Sequence, residues 1–183
     1  NQIKHNPDRL IDTLEEIDRG HEFSADAKAY FLRVREVYNK HLGNSTPEQA
    51  ARLVYLNKHC FNGLYRVNKQ GLFNVSYNNK RGGDTFHEDN LRQVSAYLQC
   101  VKILAGDFEK ALDGVTAGDF VFLDSPYAPI NATSFSDYTS EGFCFDDHLR
   151  LATRFERLTN QGVYCMLTNH NTALVPAISR LLR

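Results

Sequence analysis

The chain reads as an α/β protein with a mostly parallel sheet, preceded by a helical module that carries a β-hairpin. Three observations predict this. Residues 1–60 place apolar side chains at helical spacing. Residues 64–77 switch to β-prone runs around a glycine-bearing loop. From residue 101 onward, short apolar runs alternate with helical stretches, the order that a parallel sheet with crossover helices requires.

The elements follow in turn. Asn6-Pro7 opens a helix with Pro at its first position; Leu10, Ile11, Leu14 and Ile17 form its apolar stripe, and Gly20 is expected to end it. Ser24 is the expected cap of a second helix with Ala27, Phe31, Val34 and Tyr38 inward, closed by Gly43. Thr46-Pro47-Glu48 opens a third, carrying Ala51, Val54 and Tyr55. Leu64–Asn68 and Leu72–Tyr77 flank Lys69-Gln70-Gly71 as a hairpin, and 78–83 form a polar loop. A helix is expected over 88–99, with Leu91, Val94, Ala96, Tyr97 and Leu98 apolar. Then come a strand at 101–104, a helical turn at 109–112, a strand at 119–123 and a long polar loop over 128–145. A helix at 146–159, a strand at 163–167 and a last helix from Thr172 complete the pattern. The expected division is 1–99, the helical module with hairpin 63–77, and 100–183, part of the α/β core.

With 183 residues, 42% hydrophobic and 23% charged, the chain has the composition of a soluble globular protein. No apolar run approaches the ~20 residues of a membrane span, and Asn-Gln-Ile-Lys-His is no signal peptide. Cys60, Cys100, Cys144 and Cys165 are irregularly spaced, with Cys100 and Cys165 in apolar surroundings. They are expected to be reduced core or near-core residues of a cytoplasmic protein. No His pairs with a Cys or carboxylate at ligand spacing, so no metal is expected.

The net charge of −1 hides a strong segregation. Residues 1–48 carry 7 basic and 9 acidic side chains, and residues 84–183 carry 8 and 13. Between them, Arg52, Lys58, Arg66, Lys69, Lys80 and Arg81 stand without one Asp or Glu, a net of +6 over residues 49–83. Such an island is a candidate polyanion surface.

The strand Phe120–Leu123 runs into Asp124-Ser125-Pro126-Tyr127. In open α/β sheets, ligands bind beyond the carboxyl ends of the strands. There a carboxylate can accept from an amino group, Pro126 restricts the backbone, and an aromatic ring can stack on a planar base.

Taken together, these segments resemble the Dam-type adenine-N6 DNA methyltransferases, whose strand-end motif is usually Asp-Pro-Pro-Tyr. The resemblance covers nearly the whole chain. Phe61-Asn62-Gly63-Leu64-Tyr65-Arg66-Val67-Asn68, followed by Gly71, Phe73, Asn74 and Val75, is similar to the family's target-recognition hairpin. Asp119–Pro129 is similar to its catalytic strand and loop, and Ser134 to Tyr138 with Gly142-Phe143 to the loop that follows. Leu167–Thr172 is similar to the next strand end.

The resemblance implies a Rossmann-like methyltransferase core, here incomplete, and S-adenosylmethionine as methyl donor. It implies double-stranded DNA as partner and GATC as target. Asp124, Ser125 (through its carbonyl), Pro126 and Tyr127 are the implied catalytic residues. Asp124, Asp107 and Phe108 are implied on the cofactor side, and Arg66, Asn68, Asn74, Leu64, Lys69, Lys80 and Arg81 on the DNA. Adenine's amino nitrogen is a poor nucleophile, and two acceptors on its N–H bonds would localise the lone pair. The base must leave the duplex, at a cost of a few kcal/mol.

Ser125 stands where the family usually has Pro, and Ser76 where a Pro often follows the Val. No F-x-G-x-G segment or Lys-bearing N-terminal motif is present, and residue 1 is not Met. The chain is therefore expected to be an internal portion of a larger protein. Two alternatives stay open: a relative that binds DNA without methylating, and an enzyme of the same strand-end type acting on RNA or protein.

Overall fold

A computed structural model of the chain describes residues 1–80, 82–127 and 143–170. The chain divides into two compact units, Asn1–Ile103 and Leu104–Arg183. The expected last helix from Thr172, most of the expected loop over 128–145, and Arg81 lie outside the described residues.

The first unit is built on α1 (Gln2–His5), α2 (Pro7–Glu22), α3 (Ala27–Lys40), α4 (Pro47–His59) and α5 (Glu88–Leu98). Pro7 and Pro47 both occupy first-turn positions, where a missing N–H costs nothing. Thr46 caps α4 by accepting from the Gln49 amide at 3.2 Å. The stripes meet in one core, with Leu10, Leu14, Phe31, Tyr55, Leu56 and Phe73 fully buried.

Three expectations change here. Gly20 lies inside α2 rather than ending it, because a Cβ at this position would run into the Tyr30 ring; the glycine permits close approach. Asp26, not Ser24, caps α3: its carboxylate is within reach of the Ala29 amide, while Ser24 supports the preceding turn by donating to the Asp26 carbonyl. On α5 only Leu91 and Ser95 are buried, and Tyr97 is 74% exposed, so the inward face is narrower than the apolar residues suggested.

A buried polar chain joins α2, α4 and the segment before α5. His21 Nδ1 lies 2.5 Å from the Tyr55 hydroxyl, and the His21 and His59 rings stack at 4.6 Å. His59 Nε2 lies 2.9 Å from Thr85 Oγ1, and Thr85 donates to Asp18 from both its hydroxyl and its amide. Burial, then the adjacent His21, pushes His59 down to about 4. Burial raises Asp18 above its ordinary range.

The second unit contains α6 (Phe108–Ala111), β1 (Phe120–Leu123), α7 (Phe145–Asn160) and β2 (Tyr164–Leu167). The two strands are parallel, pairing Phe120 with Tyr164 and Leu123 with Leu167. A parallel pair needs a crossover, and α7 provides it. Its Leu151 and Leu158 pack with Val121, Leu123 and Val163. Gly162, at φ +83°, turns the chain from α7 into β2. Phe120 and Phe122 alternate to the other face and are 65% and 52% exposed.

The expected strand at 101–104 does not form: among the described residues it has no ladder partner, and Ile103 and Leu104 are exposed. A strand is defined by its neighbour, and β1 and β2 pair with each other. Cys100 is exposed in the turn after α5, contrary to its apolar context; Cys60 is the buried one. Among the described residues, no His, Cys, Asp and Glu group could hold a metal, and no helix is long and apolar enough to cross a membrane.

Candidate functional site

β1 and β2 end abreast, so Asp124 and Thr168 leave the sheet side by side. The Thr168 amide donates to the Leu123 carbonyl at 3.2 Å, carrying the ladder one bond beyond the paired strands. Thr168 Oγ1 then donates to Asp124 Oδ1 at 3.0 Å. Among the described residues no hydrogen bond reaches Asp124 Oδ2, so one carboxylate oxygen is anchored and the other is available. Ser125 Oγ is buried without a partner among the described residues. A buried hydroxyl in that state costs about 1–3 kcal/mol until something satisfies it. Pro126 is half-buried, and Tyr127 is 42% exposed with its ring edge-on to His170, centroids 4.9 Å apart and planes at 77°.

Asp107 and Phe108 belong to a different group. Asp107 caps α6 through the Glu109 amide at 3.0 Å, and Arg150 Nη2 reaches both its oxygens at 2.9 Å. That guanidinium, with the amide of Glu109, holds the Asp107 carboxyl below its ordinary range. Arg150 also meets Glu109 and Asp147, and lies over the Phe108 ring at 5.0 Å. No hydrogen bond or ring contact joins Asp107 or Phe108 to the strand tip among the described residues.

The hairpin forms as isolated antiparallel bridges rather than long strands. Val67 pairs with Phe73, and Cys60 with Tyr77. Gly71, at φ +76°, supplies the left-handed residue of its loop. The second arm is held by α3: Asn39 exchanges two hydrogen bonds with the Phe73 backbone at 2.9 and 3.0 Å, and Arg35 donates to the Val75 carbonyl at 3.1 Å. These amide and guanidinium groups stand in for a neighbouring strand, which explains why the ladder stays short. Phe73 and Val75 anchor the hairpin in the core.

Its outer surface is basic and apolar together. Leu64, Tyr65 and Val67 are exposed, as are Arg66, Lys69 and Lys80. Arg66 Nε donates to Asn74 Oδ1 at 2.8 Å, and Arg66 Nη2 lies 3.4 Å from the Asn74 carbonyl. Asn68 serves the loop itself: its Oδ1 accepts from the Gln70 and Leu72 amides at 2.9 and 3.0 Å, leaving its Nδ2 a 3.4 Å contact to Gln70. Burial and the neighbouring Tyr65 hydroxyl push the Tyr38 phenol up to about 12. An anchored fork beside cations and exposed rings is suited to a polyanion that carries planar bases.

The description of the D12 class N6 adenine-specific DNA methyltransferase family matches residues 1–180. The chain belongs to that family. Among curated relatives it is similar to the type II methyltransferase M.MjaIII of Methanocaldococcus jannaschii, 42% identical over 91% of this chain and 59% of the relative. It is similar to the type II methyltransferase M1.LlaDCHI of Lactococcus lactis subsp. cremoris, 38% identical over 94% of this chain and 61% of the relative. It is 29% identical to the retron Ec67 DNA adenine methylase of Escherichia coli, over 85% of this chain and 53% of that protein. The chain thus spans about three-fifths of the length of the first two relatives.

Within this D12-family chain, sequence reasoning missed Thr168, Asn39 and Arg35. Thr168 was visible as part of the second strand end, but its partner depends on strand register, which a single sequence does not display.

Proposed function

We propose that the protein carrying this chain methylates the N6 amino group of adenine in duplex DNA, with S-adenosylmethionine as donor and GATC as target. The observation that carries this reading is the Asp124 carboxylate at the β1 tip, with Oδ1 anchored by Thr168 and Oδ2 available. Family membership supports the substrate class.

In this reading β1, α7 and β2 are one crossover of a Rossmann-like core, and residues 1–99 are the target-recognition module. Asp124 Oδ2 and the Ser125 carbonyl accept from the two amino N–H bonds, which localises the nitrogen lone pair. Tyr127 stacks on the extruded base, its ring steadied by His170. S-adenosylmethionine, when bound, supplies an electrophilic methyl carbon. The orphaned Ser125 Oγ is a polar atom that a bound ligand can satisfy, which fits a ligand beside Asp124. For Asp107 to hold the donor, Arg150 must give up a carboxylate oxygen. Arg66 reads a guanine edge, Leu64 packs against the duplex, Asn68 and Asn74 add polar contacts, and Lys69, Lys80 and Arg81 meet phosphates.

The engagement of Asp107 by Arg150 favours one second reading, DNA binding without methylation. Radiolabelled methyl transfer to a duplex with a single GATC separates the two. N6-methyladenine in the digested product, absent when GATC is changed to GTTC, supports the first reading. Salt-dependent duplex binding with no labelled product supports the second.

A further inference from the structure

We propose that Thr168 is a positioning residue for Asp124, one that presents a single carboxylate oxygen to the target amino group; this rests on the methyltransferase reading above. The pairing of Leu123 with Leu167 sets Thr168 beside Asp124, and the Thr168 amide bond to the Leu123 carbonyl fixes the backbone there. Thr168 Oγ1 then donates to Asp124 Oδ1 at 3.0 Å.

The residue type matters. A β-branched side chain is restricted at χ1, which narrows the directions its hydroxyl can take, while the hydroxyl itself is the group that Asp124 requires. The Asp124 side chain is exposed and would otherwise sample several rotamers. With Oδ1 fixed, Oδ2 is the oxygen left for an incoming N–H, and its direction is set before the base arrives. Preorganised acceptors of this kind act on the rate of chemistry more than on binding. The competing explanation is a tie that merely closes the end of a two-stranded sheet. An exposed hydrogen bond of that sort adds modestly to stability and nothing specific to turnover.

The test compares Thr168→Val, which keeps the shape and loses the hydroxyl, with Thr168→Ser, which keeps the hydroxyl. A Ser and Ala pair at the same position repeats the comparison at smaller volume should the Val variant fold poorly. Single-turnover methyl transfer, duplex affinity and 2-aminopurine fluorescence at the target position are measured on the protein carrying this chain. We expect Thr168→Val to slow single-turnover transfer about 10–100-fold, less than the ~10²–10³-fold cost of losing a group that touches the reacting atoms, because Thr168 acts through Asp124. Duplex affinity and base extrusion should stay near wild type, and Thr168→Ser should recover most of the rate. In an Asp124→Asn background, Thr168→Val should add nothing further. Transfer by Thr168→Val at the wild-type rate overturns the positioning role, as does a Ser variant as slow as its Ala partner. A wild-type protein that binds duplex but methylates no adenine overturns the methyltransferase reading itself, and the positioning role with it.

Discussion

Asn74 grips Arg66 across the hairpin, accepting from Nε at 2.8 Å on its side chain, with its main-chain oxygen 3.4 Å from Nη2. The guanidinium is thereby oriented before any ligand arrives, and the order it would lose on binding is already lost. Asn74→Ala should therefore weaken discrimination without removing the contact group. Removing Arg66 itself should cost about 1–3 kcal/mol of base preference, and Asn74→Ala a part of that. The check is anisotropy titration against cognate duplex and duplexes with one changed guanine. A cognate-to-mismatch ratio unchanged in Asn74→Ala would contradict the orienting role.

Lys69 sits at the hairpin tip, exposed, in a loop that Asn68 and Gly71 close. As a phosphate contact it should position without specifying. Lys69→Ala is expected to weaken cognate and non-cognate duplexes alike and to reduce the slope of log K against log salt by about one. A change confined to the cognate duplex would assign Lys69 to base reading instead.

Much of this was legible in the sequence, for identifiable reasons. Leu10, Ile11, Leu14 and Ile17 are buried as their spacing requires, because a 3.6-residue period leaves little choice of face. The Phe120–Leu123 strand and its Asp124 tip follow from a short apolar run that meets Pro126. What stayed hidden depends on partners distant in sequence. Gly20 reads as a stop until Tyr30 is seen lying against it. Val101–Leu104 has strand composition but, among the described residues, no strand to pair with. Asn68 and Asn74 share one motif, yet one closes a loop and the other orients Arg66, a distinction made only by hydrogen bonds. Thr168 and Asp124 meet through register, 44 residues apart.

The buried His59 makes the first unit sensitive to acid. Its folded value of about 4 lies below the 6.5 of the unfolded chain, so the unfolded state binds the extra proton first. The stability it contributes is complete above pH 6.5 and is lost as pH falls toward 4, by up to about 3 kcal/mol. Asp18, raised by burial, acts in the opposite sense above pH 3.8 and offsets part of that loss near the acid end. Urea unfolding followed by tyrosine fluorescence should show falling midpoints from pH 7 to 4.5, and a flatter profile in His59→Gln. Equal slopes in the two proteins would contradict the assignment.

Gly20→Ala sets two effects against each other. Alanine in a helix interior gains about 1 kcal/mol over glycine. The added methyl must displace the Tyr30 ring from its edge contacts with His21 and Tyr55, an overpacking cost of about 1–3 kcal/mol. The expected net is a destabilisation of about 1 kcal/mol, from the difference of those ranges. Denaturant midpoints with an unchanged m-value would measure it, and a stabilised variant would show that Tyr30 moves freely.

The most direct measurement is single-turnover methyl transfer to GATC duplex by Asp124→Asn, with duplex affinity followed in parallel. Asparagine keeps the shape and one acceptor oxygen but loses the carboxylate charge. The expected rate is at least about 10²-fold below wild type, the cost of losing an oriented electrostatic group, with duplex affinity unchanged. An Asp124→Asn protein that transfers methyl at the wild-type rate would place the chemistry somewhere other than the β1 tip.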